Sequence, residues 1–182
     1  MSRIQPVDPR AAIGEVKQLL DTVHSALGAT PNFARVLAHS PAALAGFIGL
    51  YGGIARATID LATRERIALV VAEENECQYC VSAHTAIGRK AGLAQEEMVL
   101  NRRGGSSDAR AAAAVAFARA LNENRGAVTA AELEAVRRAG YGDAEIAEII
   151  AIVTLNFFTN LVGKAAQLDI DFPKVALLEA AA

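Results

Sequence analysis

Aromatic residues are scarce in this 182-residue chain, which has no tryptophan and an aromatic content of 5%. Sandwich and barrel folds draw on aromatic and β-branched residues, so this composition counts against an all-β protein. About 40 residues are alanine, the strongest helix former, whose small side chain also lets helices approach closely. Because 53% of the chain is hydrophobic, we expect an all-α fold with a substantial core.

The chain also lacks an excess of charge, since its 18 basic and 20 acidic residues are interspersed. No run of lysine and arginine is long enough to follow a phosphate backbone, so we expect no nucleic-acid partner. The N-terminal stretch has no apolar core of a signal peptide. The most apolar stretch, residues 146–162, contains Glu148, Asn156 and Asn160, which favours a buried helix over a membrane span. These features predict a cytoplasmic protein with no membrane partner.

Helical spacing of apolar residues recurs from end to end and predicts one all-helical domain over residues 1–182. We divide it into N-terminal helices (1–60), a helical hairpin (61–103) and C-terminal helices (107–182). Gly104–Ser107 is the best candidate for an internal linker. The first predicted helix follows Pro9 and ends at Gly28. The others cover residues 32–39, 41–57, 63–75, 77–90, 95–102, 108–121, 129–139 and 143–168, with a short helix after Pro173.

Two predicted segments, residues 63–90 and 143–168, share a capped start, an apolar run and a polar break. The break in the second segment would fall near Asn160. This pattern would fit an internal duplication.

Only two cysteines are present, Cys77 and Cys80. Without a secretory signal, so close a pair is not a disulfide framework, which leaves redox chemistry, half of a metal site or coincidence. If a helix begins near Cys77, then Cys77, Cys80 and His84 share one face. His84 would be close enough to take the Cys80 proton, and the helix N-terminus would favour a thiolate at Cys77. Two thiols one turn apart can also close a disulfide.

Glu65 is predicted to join this face if the chain reverses near Asn75. The two flanking helices are then antiparallel, and residues about ten positions before and after the reversal lie side by side. Glu65 and His84 meet this condition within one helical turn. A carboxylate beside an imidazole selects its tautomer and stabilises its protonated form. The spacing therefore predicts a Glu65–His84–Cys80 proton relay.

The order Glu65, eleven residues, Cys77-x-x-Cys80, three residues and His84 resembles the E-x11-C-x-x-C-x-x-x-H motif of AhpD-like alkylhydroperoxidases. These proteins belong to the carboxymuconolactone decarboxylase-like superfamily. Outside the motif, Thr30-Pro31-Asn32-Phe33, residues 156–160 and Asp171-Phe172-Pro173 are similar to its peroxidase-related branch.

The resemblance implies an all-α fold that assembles as a trimer or a hexamer. It also implies a two-cysteine cycle, in which a peroxidatic thiolate reacts with a hydroperoxide and a second thiol closes the disulfide. An external dithiol or protein reductant then reduces that disulfide. We assign Cys80 as peroxidatic because it is nearest to His84, and Cys77 as resolving.

Tyr79 departs from the AhpD pattern, which often has a second histidine just before the second cysteine. A phenol can donate a hydrogen bond, but its ordinary pKa of about 10 makes it a poor base near neutrality. A role for Tyr79 in the relay and a role in packing at the mouth of the site both remain open.

Three alternatives to a peroxidase remain at this point. The pair could serve as a general thiol–disulfide oxidoreductase, or Cys77 and Cys80 could fill a helix interface. The chain could also be a non-redox oligomeric protein that binds a small apolar ligand or a metal at the same pocket. A zinc ion could bind Cys77, Cys80 and His84, with Glu65 or water as the fourth ligand. Structural zinc usually takes a second Cys/His pair, and only His24 and His39 remain. We therefore expect neither a metal nor a cofactor.

Overall fold

The computed structural model describes residues 1–179, in which nine α-helices and no β-strand are found. The all-α prediction is therefore confirmed for this part of the chain. The helices are α1 (Gly14–Leu27), α2 (Asn32–Leu37), α3 (Pro41–Ile54), α4 (Leu61–Glu74), α5 (Gln78–Lys90), α6 (Gln95–Arg102), α7 (Ala109–Glu123), α8 (Ala130–Arg138) and α9 (Asp143–Ala166).

Helix α4 lies at the centre and packs against α5, α6, α7 and α9. Every residue from Ile67 to Ala72 is buried, so this helix is apolar on all sides in its middle. Polar side chains appear only towards its two ends. The functional residues predicted on α4 are therefore held by the central helix, and those on α5 by a helix packed against it.

Two helices begin two or more residues away from their predicted starts. Helix α1 starts at Gly14, so residues 10–13, which were predicted to be helical, are not. Helix α4 starts at Leu61 rather than Thr63, because Asp60 caps it: its carboxylate accepts hydrogen bonds from Thr63 N at 2.9 Å and Thr63 Oγ1 at 2.7 Å. Aspartate is as effective an N-cap as threonine, so the spacing of the apolar residues did not decide whether α4 begins after Asp60 or at Thr63.

Helix α9 runs without a break through Asn160, contrary to the predicted interruption. Asn160 is 1% exposed, and its Oδ1 accepts a hydrogen bond from Asn75 Nδ2 at 2.9 Å, so a polar residue is accommodated inside the helix packing. By length and composition alone α9 could cross a membrane. In this structure it packs against α2, α3, α4, α5 and α7, as the core helix of a globular fold does.

The chain between α6 and α7 is tied down rather than flexible. Ser106 Oγ and Ser107 Oγ both donate to the Glu97 carboxylate at 2.6 Å, and Ser107 N donates to it at 2.9 Å. The glycines of the predicted linker provide a turn, and the serines fasten it to α6.

The helix predicted after Pro173 is wrong for the residues described, because 168–179 contain no helix. We call residues 168–179 the C-terminal segment. Its backbone groups bond to side chains elsewhere: Val175 N donates to Ser82 Oγ at 3.0 Å, and Arg102 donates to Ala176 O at 2.7 Å. These tertiary partners replace the hydrogen bonds that a helix would make. Residues 180–182 lie outside the described part of the chain.

Candidate active site

The reversal between α4 and α5 is a tight turn with a left-handed residue. Glu76 has φ of +51°, a conformation that glycine usually supplies at this position. Cys77 N donates to Ala72 O at 2.9 Å, and Glu76 N donates to Glu73 O at 2.8 Å, which closes the end of α4. The chain thus enters α5 directly at Cys77, and the hairpin assumed from the sequence is present.

Cys77 and Cys80 are joined by a disulfide, with their Cα atoms 5.3 Å apart. Cys77 is the N-cap of α5, and its Sγ accepts a hydrogen bond from Cys80 N at 3.4 Å. The residues are 1% and 3% exposed. When the bond is reduced, this hydrogen bond and the positive end of the helix dipole both favour a thiolate at Cys77.

Glu65 and His84 meet across the hairpin, as their spacing from the reversal near Asn75 predicts. His84 Nδ1 lies 2.8 Å from Glu65 Oε2, and both side chains are largely buried. Because an ionised carboxylate only accepts hydrogen bonds, the ring proton sits on Nδ1, which leaves Nε2 as the atom that can exchange a proton. His84 follows Cys80 by one turn of α5. The arrangement can therefore move a proton close to the cysteine pair.

Tyr79 is directed towards α2 and the C-terminal segment. Its hydroxyl accepts a hydrogen bond from Phe33 N at 3.4 Å, and its ring packs edge-to-face on Phe172 at 5.6 Å. Burial of the side chain and the nearby charge of Asp171 raise the pKa of the phenol above its usual range. These contacts favour the packing role over the relay role.

Helix α9 contributes three residues beside the turn that the sequence did not single out as one group. Asn160 holds Asn75, as described above, and Lys164 Nζ donates to Asn75 O at 2.8 Å. Between them, the backbone of Gly163 approaches both sulfur atoms. The sequence marked Asn160 only as a polar residue in the apolar stretch 146–162 and as the place of a predicted break. Gly163 and Lys164 carried no motif, so nothing short of the packing could have found them.

The zinc alternative would require Cys77 and Cys80 as separate thiolates, whereas here the two sulfurs are bonded to each other. Within residues 1–179, no three or more His, Cys, Asp or Glu side chains are grouped as a metal site would need.

Comparison with protein families agrees with the resemblance carried by the Glu65–His84 motif. Residues 41–123, which contain Glu65, both cysteines and His84, match the carboxymuconolactone decarboxylase family. Among proteins of curated function, none matches the chain.

Several solved structures share the fold over nearly the whole chain. An alkylhydroperoxidase AhpD core, an uncharacterized peroxidase-related protein from Ralstonia eutropha JMP134, has a TM-score of 0.80 at 25% identity, covering 93% of this chain and 92% of that one. An uncharacterized peroxidase-related protein from Silicibacter sp. TM1040 has a TM-score of 0.76 at 27% identity, covering 91% of each chain. The debrominase Bmp8 has a TM-score of 0.79 at 22% identity, covering 92% of this chain and 91% of that one.

The matched family segment carries the Glu–Cys–Cys–His motif, and the likeness in fold extends well beyond it on both sides. The chain is thus similar to the carboxymuconolactone decarboxylase family over residues 41–123, and it has the AhpD-like helical fold.

Proposed function

We propose that the protein is a thiol-dependent peroxidase that reduces organic hydroperoxides through Cys77 and Cys80, with Glu65 and His84 as a proton relay. The observation that carries the proposal is the hydrogen bond between Glu65 and His84, held one helical turn from a cysteine pair that can form a disulfide. A site that served only packing would have no need of a buried carboxylate–imidazole pair beside its two thiols.

In the first step of the proposed cycle, His84 Nε2 takes the proton of the Cys80 thiol. The thiolate attacks the terminal oxygen of the hydroperoxide, and the O–O bond breaks. The departing alkoxide receives the proton from His84 and leaves as an alcohol, while Cys80 becomes a sulfenic acid. Glu65 orients the imidazole and stabilises its charged form during this exchange.

In the second step, the Cys77 thiol gives up its proton and its sulfur attacks the sulfur of the Cys80 sulfenic acid. The S–O bond breaks, the hydroxide takes that proton and leaves as water, and the disulfide forms. The position of Cys77 at the N-terminus of α5 supports this step, since the attacking group is a thiolate. An external dithiol, free or on a protein, then supplies two electrons and two protons. We take the reaction to be cytoplasmic, where such reductants are maintained.

The proposal includes a homo-oligomer, a trimer or a hexamer. It is supported by large apolar side chains exposed along one face of α9: Ile150, Phe157 and Leu161 are between 43% and 52% exposed. Apolar faces of this kind are commonly covered by a second chain. A monomeric mass by light scattering would contradict this part of the proposal and leave the chemistry unaffected.

The test of the proposal starts from fully reduced protein, freed of reductant and mixed with one equivalent of cumene hydroperoxide. Free thiols and intact mass are followed together. We expect both thiols to be lost within minutes and the mass to fall by two hydrogens. Cys80→Ser should show no disulfide and no turnover, whereas the surface variant Lys17→Ala should match the wild type.

Parallel samples distinguish peroxidase activity from the alternative functions of the site. Faster thiol loss with a small disulfide than with the hydroperoxide would indicate a general thiol–disulfide oxidoreductase. Thiol loss only with 2,3,4-tribromopyrrole, the compound bound by Bmp8, would indicate debromination instead. Thiols that survive every oxidant, together with stoichiometric zinc in the purified protein, would point to a metal-binding protein.

A further inference from the structure

The last turns of α9 are fastened to the turn that carries Cys77. Asn160 accepts a hydrogen bond from the Asn75 side chain, while Lys164 Nζ donates to the Asn75 carbonyl and lies 3.6 Å from Glu76 Oε2. Gly163 is placed between Asn160 and Lys164 in the helix, so its backbone faces the disulfide at short range.

The space beside Gly163 is filled by sulfur. A Cβ atom added to this residue would lie 2.9 Å from Cys77 Sγ, 3.6 Å from Cys80 Sγ and 3.8 Å from Tyr79 Cβ. A separation of 2.9 Å is shorter than a carbon and a sulfur tolerate without bonding, so one of the two atoms would have to move. The cysteine pair therefore depends on the absence of a side chain on α9.

We propose that Gly163 is a positioning residue for the thiol–disulfide cycle, because its missing side chain leaves room for the disulfide form of Cys77 and Cys80. The inference deepens the function proposed above and rests on the same cysteine pair. It assigns to Gly163 an effect on the balance between disulfide and dithiol, which is separate from any effect on folding.

The turn cannot retreat easily from an added methyl group. Asn75 and Asn122 exchange two side-chain hydrogen bonds, at 3.0 and 3.1 Å, and Asn75 is also held by Asn160 and Lys164. Glu76 is already in a left-handed conformation that has few alternatives for a residue with a side chain. Cys77 Sγ is therefore the atom that must move.

The dithiol and the disulfide differ in how far Cys77 Sγ can move. In the dithiol, the Cys77 side chain can rotate about χ1 into another staggered position. In the disulfide, the bond to Cys80 holds Sγ in place. An alanine at position 163 should thus destabilise the disulfide more than the dithiol, and the equilibrium should move towards the dithiol.

The experiment measures this equilibrium in the full chain. Wild type and Gly163→Ala are incubated with defined ratios of reduced and oxidised dithiothreitol, which exchanges two electrons and two protons with the pair. The samples are quenched with acid and alkylated, and the disulfide fraction is read by intact mass. We expect Gly163→Ala to shift the equilibrium constant towards the dithiol by tenfold or more, equivalent to about 30 mV.

Two glycine variants serve as matched controls. A Cβ on Gly49 of α3 meets nothing within 4 Å, and a Cβ on Gly88 of α5 meets Leu93 Cδ1 and Met98 Sδ at 3.2 Å. All three substitutions raise helix propensity, and Gly88→Ala also adds a tight contact, but neither control approaches a cysteine sulfur. We expect both controls to stay within about threefold of the wild-type equilibrium constant.

A folded Gly163→Ala protein within threefold of wild type would overturn the inference, as would an equal shift in Gly88→Ala. If Gly163→Ala does not fold, the double variant with Cys77→Ala removes the opposing sulfur. Recovery of the fold would support the inference, and failure to recover would contradict it. Because dithiothreitol replaces the hydroperoxide, the result stands whether or not the peroxidase proposal survives its own test.

Discussion

Two buried glutamates, one on α4 and one on α6, show how similar groups take on different roles. Glu97 of α6 accepts five hydrogen bonds, one each from Arg66, Asn101 and Ser106 and two from Ser107, at 2.6 to 2.9 Å. Glu65 of α4, the residue before Arg66, has His84 as its hydrogen-bond partner within residues 1–179. One carboxylate is saturated by five hydrogen bonds, and the other has a single imidazole as its partner.

The comparison shows that burial by itself does not identify a functional carboxylate. A saturated carboxylate stabilises the elements that surround it and has no capacity left for chemistry. A carboxylate with one titratable partner can change its hydrogen bond as that partner gains and loses a proton. Glu97 therefore belongs to the structure of the α6–α7 connection, and Glu65 to the proposed proton relay.

Replacing Glu97 should produce the largest change in stability. In Glu97→Gln the amide cannot accept from all five donors, which leaves buried polar groups unpaired and should lower the free energy of unfolding by about 2–4 kcal/mol. Chemical denaturation followed by circular dichroism measures the change. Reaction of the remaining folded protein with hydroperoxide should be unaffected, and a matching loss of both would contradict the distinction between the two glutamates.

Replacing Glu65 should instead act on the chemistry. Glu65→Gln keeps the size of the side chain but removes the charge that stabilises protonated His84, so turnover should fall by about 10- to 100-fold. The unfolding free energy should change by less than about 1 kcal/mol. Steady-state rates with cumene hydroperoxide and a dithiol, beside denaturation curves, separate the two effects. Wild-type turnover in this variant would remove Glu65 from the relay.

Glu97 should contribute to the pH dependence of stability. Burial acts to raise its pKa, but the hydrogen bonds from Ser106, Ser107 and Asn101 outweigh it and hold the pKa well below the ordinary value of 4.5. A carboxyl whose pKa is lowered in the folded state contributes its full stability above the unfolded pKa and loses it as the pH falls towards the folded pKa. The stability difference between wild type and Glu97→Gln should thus be constant from pH 8 to 5 and shrink below about pH 4.5. A difference that stays constant down to pH 2.5 would contradict this assignment.

The smallest effect is expected at Tyr79. Tyr79→Phe removes a hydroxyl that accepts from Phe33 N, so it should cost about 0.5–1.5 kcal/mol of stability. Because the phenol faces α2 and its pKa is raised, turnover should stay within about threefold of wild type at pH 7. A loss as large as that of Glu65→Gln would restore Tyr79 to the relay.

Local patterns in the sequence predicted most of the helices and the pairing at the hairpin. Glu65 and His84 lie on one hairpin, so helix geometry and a reversal near Asn75 were sufficient to bring them together. The same reasoning failed after Pro173, where a helix was expected from local signals. There the backbone bonds to Ser82 and Arg102, which are more than 70 residues away in the chain.

By itself, the sequence determined the all-α class, the reversal at Asn75 and the shared face of Cys77, Cys80 and His84, because each depends on spacing within one or two turns of helix. Tertiary structure alone decided that the Glu97 carboxylate would be saturated with hydrogen bonds and that the Tyr79 side chain would face α2. It also decided that the backbone of Gly163 would lie against the cysteine sulfurs. These contacts join segments far apart in sequence, and their geometry follows from how whole helices pack, which no local periodicity encodes.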